Sequence, residues 1–157
     1  YKTARYTVVR PLQIGAALGG AGPELLAALG RYGSPLGRAF QYRDDVLGVF
    51  GDEAVTGKPA GDDLREGKLT VLIANAMRAA GKAEAERLDA LLGTRLSPDD
   101  VTEARGIISG SGALAATELE IEEATALALS ALESAGIAAP ALDGLRRLAR
   151  LASQRDA

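Results

Sequence analysis

The sequence contains no cysteine and no histidine. Without cysteine there is no disulfide framework, no thiolate zinc site and no thiol nucleophile. Without histidine the side chain that most often moves protons near neutrality is missing, as is the commonest transition-metal ligand. Aromatic residues are only 4% of the chain, and β-branched residues are sparse outside short runs. No apolar run is long enough to span a bilayer and no signal-peptide pattern is present, so the expectation is a cytoplasmic protein without stable membrane insertion. The net charge is −3, with both signs interspersed and no basic patch or stripe. Nucleic acid and an anionic membrane surface are therefore not expected partners.

Carboxylates, Lys, Arg, Tyr, hydroxyls and amides are left to carry any chemistry, and they favour a hard, oxygen-bound cation, Mg²⁺ above all. The hydrophobic fraction, 47%, is dominated by Ala and Leu, which lose little freedom in a helix. A length of 157 residues suits one domain. The expectation is a single all-α unit over residues 1–157. Tyr1 rather than Met opens the chain, inside a helical pattern, as the start of a fragment would.

The pattern is helical from Tyr1 to about Gly20, with a kink at Pro11, and again from Pro23 to about Phe50, where Gly30, Gly33 and Gly37 interrupt it. Small residues at that spacing let a neighbouring helix or ligand come close. Residues 51–67 form the one long unpatterned stretch, with glycines at 51, 57, 61 and 67 and a high density of charge; such loops are usually functional or disordered. Helical pattern resumes from Lys68 to Gly81, then over Ala83–Leu92, from the Ser97-Pro98 start to about Gly110, over Ala113–Ala135 and over Pro140–Ser153. Ser97 as N-cap, Pro98 at the first position and acids in the first turn mark a helix start by capping chemistry.

Chemistry concentrates in two places. Gln41 lies three and four residues ahead of Asp44 and Asp45, so the amide and both carboxylates share a helical neighbourhood, with Asp52 seven residues on. Paired carboxylates beside phosphate oxygens hold Mg²⁺, although alone the pair reads as an exposed acidic helix end. The second place is the glycine-rich loop, with Lys58, Asp62, Asp63, Arg65 and Lys68. Lysines bring positive charge to phosphate, and Lys68 at a helix start would act on one anion together with the helix dipole. Gly61–Lys68 is one residue too long for a P-loop and has Leu69 where Ser or Thr belongs. Lys2 and Thr3 say little by themselves, and Tyr6 and Tyr42 read as core or rim packing.

Order and wording raise these signals. KTARYT, then GRAFQYRDDVLGVFGD, then TGKPAGDDLREGKLTVL closely resembles the C-terminal half of the trans-prenyl diphosphate synthases, the farnesyl, geranylgeranyl and longer polyprenyl synthases of the isoprenoid synthase fold. The likeness runs from Tyr1 to about Ala76. It implies the C-terminal portion of an all-α helical barrel, with the N-terminal half missing. By resemblance, Lys2 touches the allylic diphosphate beside Thr3, and Gln41 faces substrate with Phe40 as its apolar companion. Asp44 and Asp45 match the first aspartates of the second aspartate-rich motif, which bind magnesium. Lys58 and Lys68 match diphosphate-contacting lysines, with Asp52, Asp62 and Asp63 as outer-sphere or orienting groups.

The implied reaction is a Mg²⁺-dependent, 1′-4 head-to-tail prenyl transfer from an allylic diphosphate to isopentenyl diphosphate, giving a product such as geranylgeranyl diphosphate, by a homodimer when intact. The fragment alone is expected to be inactive. Two departures stand out: Gly48 occupies the fifth position of the D-D-x-x-D motif, and the first aspartate-rich motif is absent from the sequence. The competing readings are a terpene cyclase of the same fold and a non-catalytic partner subunit of a prenyl synthase. Product length is not legible.

Overall fold

The scarcity of β-branched and aromatic residues shows directly in the backbone. The computed structural model describes residues 4–53, 57, 59, 61–133 and 135–154, and every regular element among them is helical. A π-helical turn, Arg5–Val9, runs straight into α1, Arg10–Leu18. Then follow α2, Pro23–Phe50; the short α3, Asp62–Arg65; α4, Val71–Ala79; α5, Lys82–Leu91; α6, Pro98–Gly110; α7, Ala113–Glu133; and α8, Ala139–Ser153. The Pro11 kink expected from the sequence takes the form of that π turn: the Arg10 N–H reaches back five residues to the Arg5 carbonyl. Proline cannot donate to the ladder, and its ring crowds the carbonyl four residues back, so the turn widens where Pro11 enters.

The described residues pack as two compact units, one holding residues up to Arg43 and from Glu120 onward, the other Asp44–Leu119. In the first unit the glycines of α2 do not break the helix, which continues through Pro35 as well. They are close-approach points. A Cβ on Gly37 would stand 2.5 Å from the Cβ of Ala4, and one on Gly33 would stand 3.2 Å from the Cα of Val9. The N-terminal helical segment therefore lies directly on α2, where any side chain would push it off. The core of this unit is Tyr32, Leu36, Ala128, Leu132 and Ala149, with Leu12, Leu129, Leu142 and Leu145 packed around it.

Tyr32 is fully buried, and its hydroxyl donates to the Leu145 carbonyl at 2.8 Å. Burial pushes this hydroxyl up to about 12 from its ordinary value of 10.0. The folded state thus keeps its proton where an unfolded tyrosine has lost it, so this contribution to stability is complete below pH 10 and fades as the pH rises toward 12. Tyr32→Phe should cost about 1 kcal/mol at neutral pH. In urea titrations repeated from pH 9 upward, the variant should also lose stability less steeply than the native chain.

In the second unit α4, α5 and α6 pack on one another, burying Leu72, Ile73, Ala76, Leu88, Val101, Ala104 and Ile108. The Ser97 start of α6 forms as expected. The Ser97 hydroxyl accepts the Asp100 N–H at 3.2 Å and the Asp100 carboxylate accepts the Ser97 N–H at 2.9 Å, a reciprocal capping box. The stretch read as unpatterned contains the short helix α3, followed by a turn at Gly67 (φ +65°). There a Cβ would stand 3.0 Å from the Cα of Gly93, whose N–H donates to the Leu64 carbonyl at 2.9 Å. Only glycine meets both the conformation and the clearance.

Candidate functional site

Asp44 and Asp45 sit in the second-to-last turn of α2, and the structure gives them different roles. Asp44 is exposed. Asp45 is 5% exposed, and its Oδ2 accepts the backbone N–H of Val71, the first residue of α4, at 3.2 Å. Thr70 caps the same helix, its hydroxyl accepting the Ile73 N–H at 3.3 Å. Two of the orphan donors that begin α4 are thereby satisfied by the protein itself.

This corrects an expectation. Helix α4 starts at Val71 rather than at Lys68, and the anion against its N-terminus is the Asp45 carboxylate. Lysine 68 lies three residues upstream, with its ammonium 2.7 Å from Asp63 Oδ1 and 2.6 Å from Glu66 Oε2. The Asp63 hydrogen bond, then that of Glu66, holds the ammonium well above the ordinary lysine range, so Lys68 stays charged. Its side chain remains 46% exposed. Asp63 is 7% exposed, while Asp62, in the same first turn of α3, is half-buried. Glu66 was passed over in the sequence although it stands two residues before Lys68; the run E-G-K was the available signal.

Gln41 and Phe40 are half-buried on α2, and Asp52 is exposed just past its end. Lys2, Thr3 and Lys58 lie outside the described residues. Tyr42 is half-buried, consistent with packing, whereas Tyr6 is 71% exposed and belongs to no core. Arg105, which no sequence motif singled out, secures the C-terminal end of α2. Its guanidinium donates to the Val49 carbonyl at 2.7 Å and the Gly51 carbonyl at 3.4 Å, and lies 5.8 Å above the Phe50 ring. A cation there answers the exposed carbonyls of the helix end.

The first unit also holds an apolar cavity of ≈ 620 Å³, lined by Thr7, Val8, Pro11, Leu12, Leu36, Phe40, Leu148, Leu151 and Ala152. Its size falls in the range of small-molecule sites. Among the described residues no group of three or more carboxylates gathers to hold a metal ion, and no helix is long and apolar enough to cross a membrane.

Comparison with known proteins bears on the family and the fold. The sequence model of the polyprenyl synthetase family matches residues 1–108. The chain is 48% identical over 102 residues to the geranylfarnesyl diphosphate synthase of Aeropyrum pernix, covering 65% of this chain and 31% of that protein. It is 34% identical over 137 residues to the geranylgeranyl diphosphate synthase of Mycobacterium tuberculosis, covering 86% and 39%. Among solved structures, the geranylgeranyl pyrophosphate synthase of Corynebacterium glutamicum, complexed with isoprenyl diphosphate and magnesium, superposes with a TM-score of 0.96 at 43% identity. That match covers 99% of this chain and 44% of the other. The polyprenyl synthase of Caulobacter crescentus, complexed with calcium and isoprenyl diphosphate, gives 0.84 at 36% identity, covering 95% and 46%. The chain thus spans 31–39% of these two curated relatives' length and under half of the solved chains.

Proposed function

Because the chain belongs to the polyprenyl synthetase family and has the all-α isoprenoid synthase fold, we propose that it forms the diphosphate-facing part of a Mg²⁺-dependent prenyltransferase that joins isopentenyl diphosphate to an allylic diphosphate. The observation that carries this reading is the division of labour in the aspartate pair. Asp45 is tied to the start of α4, which leaves Asp44, its exposed neighbour, as a carboxylate placed by an anchored one.

The residues fit a magnesium ion of the substrate-sharing kind. Mg²⁺ keeps several waters and takes one or two protein carboxylates beside phosphate oxygens, so a cage of three acids is unnecessary. Asp44 would hold it, with Asp45 alongside. When bound, the ion neutralises the charge that develops on a departing diphosphate.

The chain's own residues account for further parts of the reaction. Lys68 keeps its charge on Asp63 and Glu66 and has a third N–H for a phosphate oxygen. Lys2 and Lys58 add positive charge on this reading. As the allylic carbon–oxygen bond breaks, that charge stabilises the leaving diphosphate, the largest electrostatic demand of the step. The isopentenyl double bond then forms the new carbon–carbon bond to the allylic cation, and the proton lost goes to the released diphosphate. No histidine base is required. The apolar cavity has the lining to take a hydrocarbon and keep water from a cation. The intact protein would work in the cytoplasm as a homodimer.

The test is incubation of the intact protein with labelled isopentenyl diphosphate, an allylic diphosphate and Mg²⁺. A longer linear prenyl diphosphate is the expected product. A cyclic hydrocarbon would instead identify a cyclase, and failure to consume either substrate would identify a non-catalytic subunit. A built-in control is Asp100, whose carboxylate is committed to Ser97 and Arg87. Asp100→Ala should lower the melting midpoint while leaving turnover unchanged.

A further inference from the structure

Position 48 is where the resembling enzymes place a third carboxylate and this chain has glycine. The structure shows what the missing side chain leaves room for. A Cβ built on Gly48 would collide with the Asp63 carboxylate, contacting both Oδ2 and Cγ, and would stand 3.1 Å from the Asp63 Cβ. Since the Asp63 Cγ lies on the axis about which the carboxylate turns, that turn does not clear the clash; the side chain has to shift. Asp63 is also 7% exposed and therefore has little room to go elsewhere.

The contact continues outward. The same carboxylate holds the Lys68 ammonium at 2.7 Å through Oδ1, and the Lys68 backbone N–H donates to the Asp63 carbonyl at 3.0 Å. Asp63 is thus the buried member of the pair and Lys68 the half-exposed one.

We propose that Gly48 is a positioning residue: by lacking a side chain it provides the seat for the Asp63 carboxylate, which in turn fixes the ammonium of Lys68 for the substrate diphosphate. The last clause rests on the reading of Lys68 given under Proposed function. Gly48→Ala puts a Cβ into that seat.

The test reads Lys68 directly. The rate of amine acylation at Lys68 is followed by mass spectrometry in the intact protein, with the 91%-exposed Lys82 as internal reference. Gly48→Ala should speed labelling of Lys68, roughly tenfold for every unit by which its pKa falls, with Lys82 unchanged. Asp63→Ala should do the same, and adding Gly48→Ala to it should have no further effect. Unchanged Lys68 labelling in Gly48→Ala while Asp63→Ala speeds it would show that Gly48 does not seat Asp63. Unchanged labelling in Asp63→Ala would show that Asp63 does not fix Lys68. Either result overturns the proposal.

In parallel, Gly48→Ala and Lys68→Met should each raise KM for the allylic diphosphate more than they lower kcat, and the double variant should be no worse than Lys68→Met alone. If KM is unmoved by Lys68→Met while Asp44→Ala abolishes turnover, the positioning role fails and the prenyltransferase reading stands. If neither change has an effect, the reading itself fails.

Discussion

Asp44→Ala should lower kcat by about two to three orders of magnitude with the fold intact. The magnitude is that of losing a preorganised charge from a site where negative charge develops on a leaving group. The sparing of the fold follows from exposure: Asp44 is a solvent-facing position on α2, and alanine is the better helix former there. Thermal melting and steady-state turnover on the same preparation check both halves of the expectation. A variant that loses activity and stability together would mean that Asp44 acts through structure, and one that keeps its activity would remove Asp44 from the site.

Asp45→Ala should fail in a different way. It strips the Val71 N–H, a part-buried donor at the head of α4, of its acceptor. The cost is about 1 kcal/mol of stability. The displacement of α4 against α2 should add a loss of turnover. Asp45→Asn keeps an acceptor oxygen for Val71, so it should recover most of the melting midpoint while leaving turnover low. The pair of variants separates what Asp45 does for α4 from what its charge does for a cation. If Asp45→Asn restored turnover as well as stability, the negative charge at this position would have no part in the reaction.

The helical pattern was legible because the 3.6-residue repeat of Ala and Leu is strong and the caps are chemical: Pro23 and Phe50 bound α2 as expected, and Ser97 and Asp100 cap α6 reciprocally. The clash that makes Gly48 necessary was not legible, because it joins residues 15 apart in sequence through the path of the 51–67 loop. Periodicity says nothing about where such a loop returns. The same limit hid the hydrogen bond between Asp45 and Val71, which are 26 residues apart. The start of α4 was placed three residues early because charge and pattern alone do not distinguish a residue before the N-cap from one inside the first turn. The carboxylate that stands against position 48 belongs to Asp63.

The central claim is that Asp44 helps this chain hold a diphosphate through Mg²⁺, and isothermal titration of inorganic diphosphate into the intact protein tests it most directly. The account predicts binding that requires Mg²⁺, weakens at least tenfold in Asp44→Ala and is unaffected in Asp100→Ala. Diphosphate binding of equal strength with and without Mg²⁺, and equal in the native protein and Asp44→Ala, would contradict it.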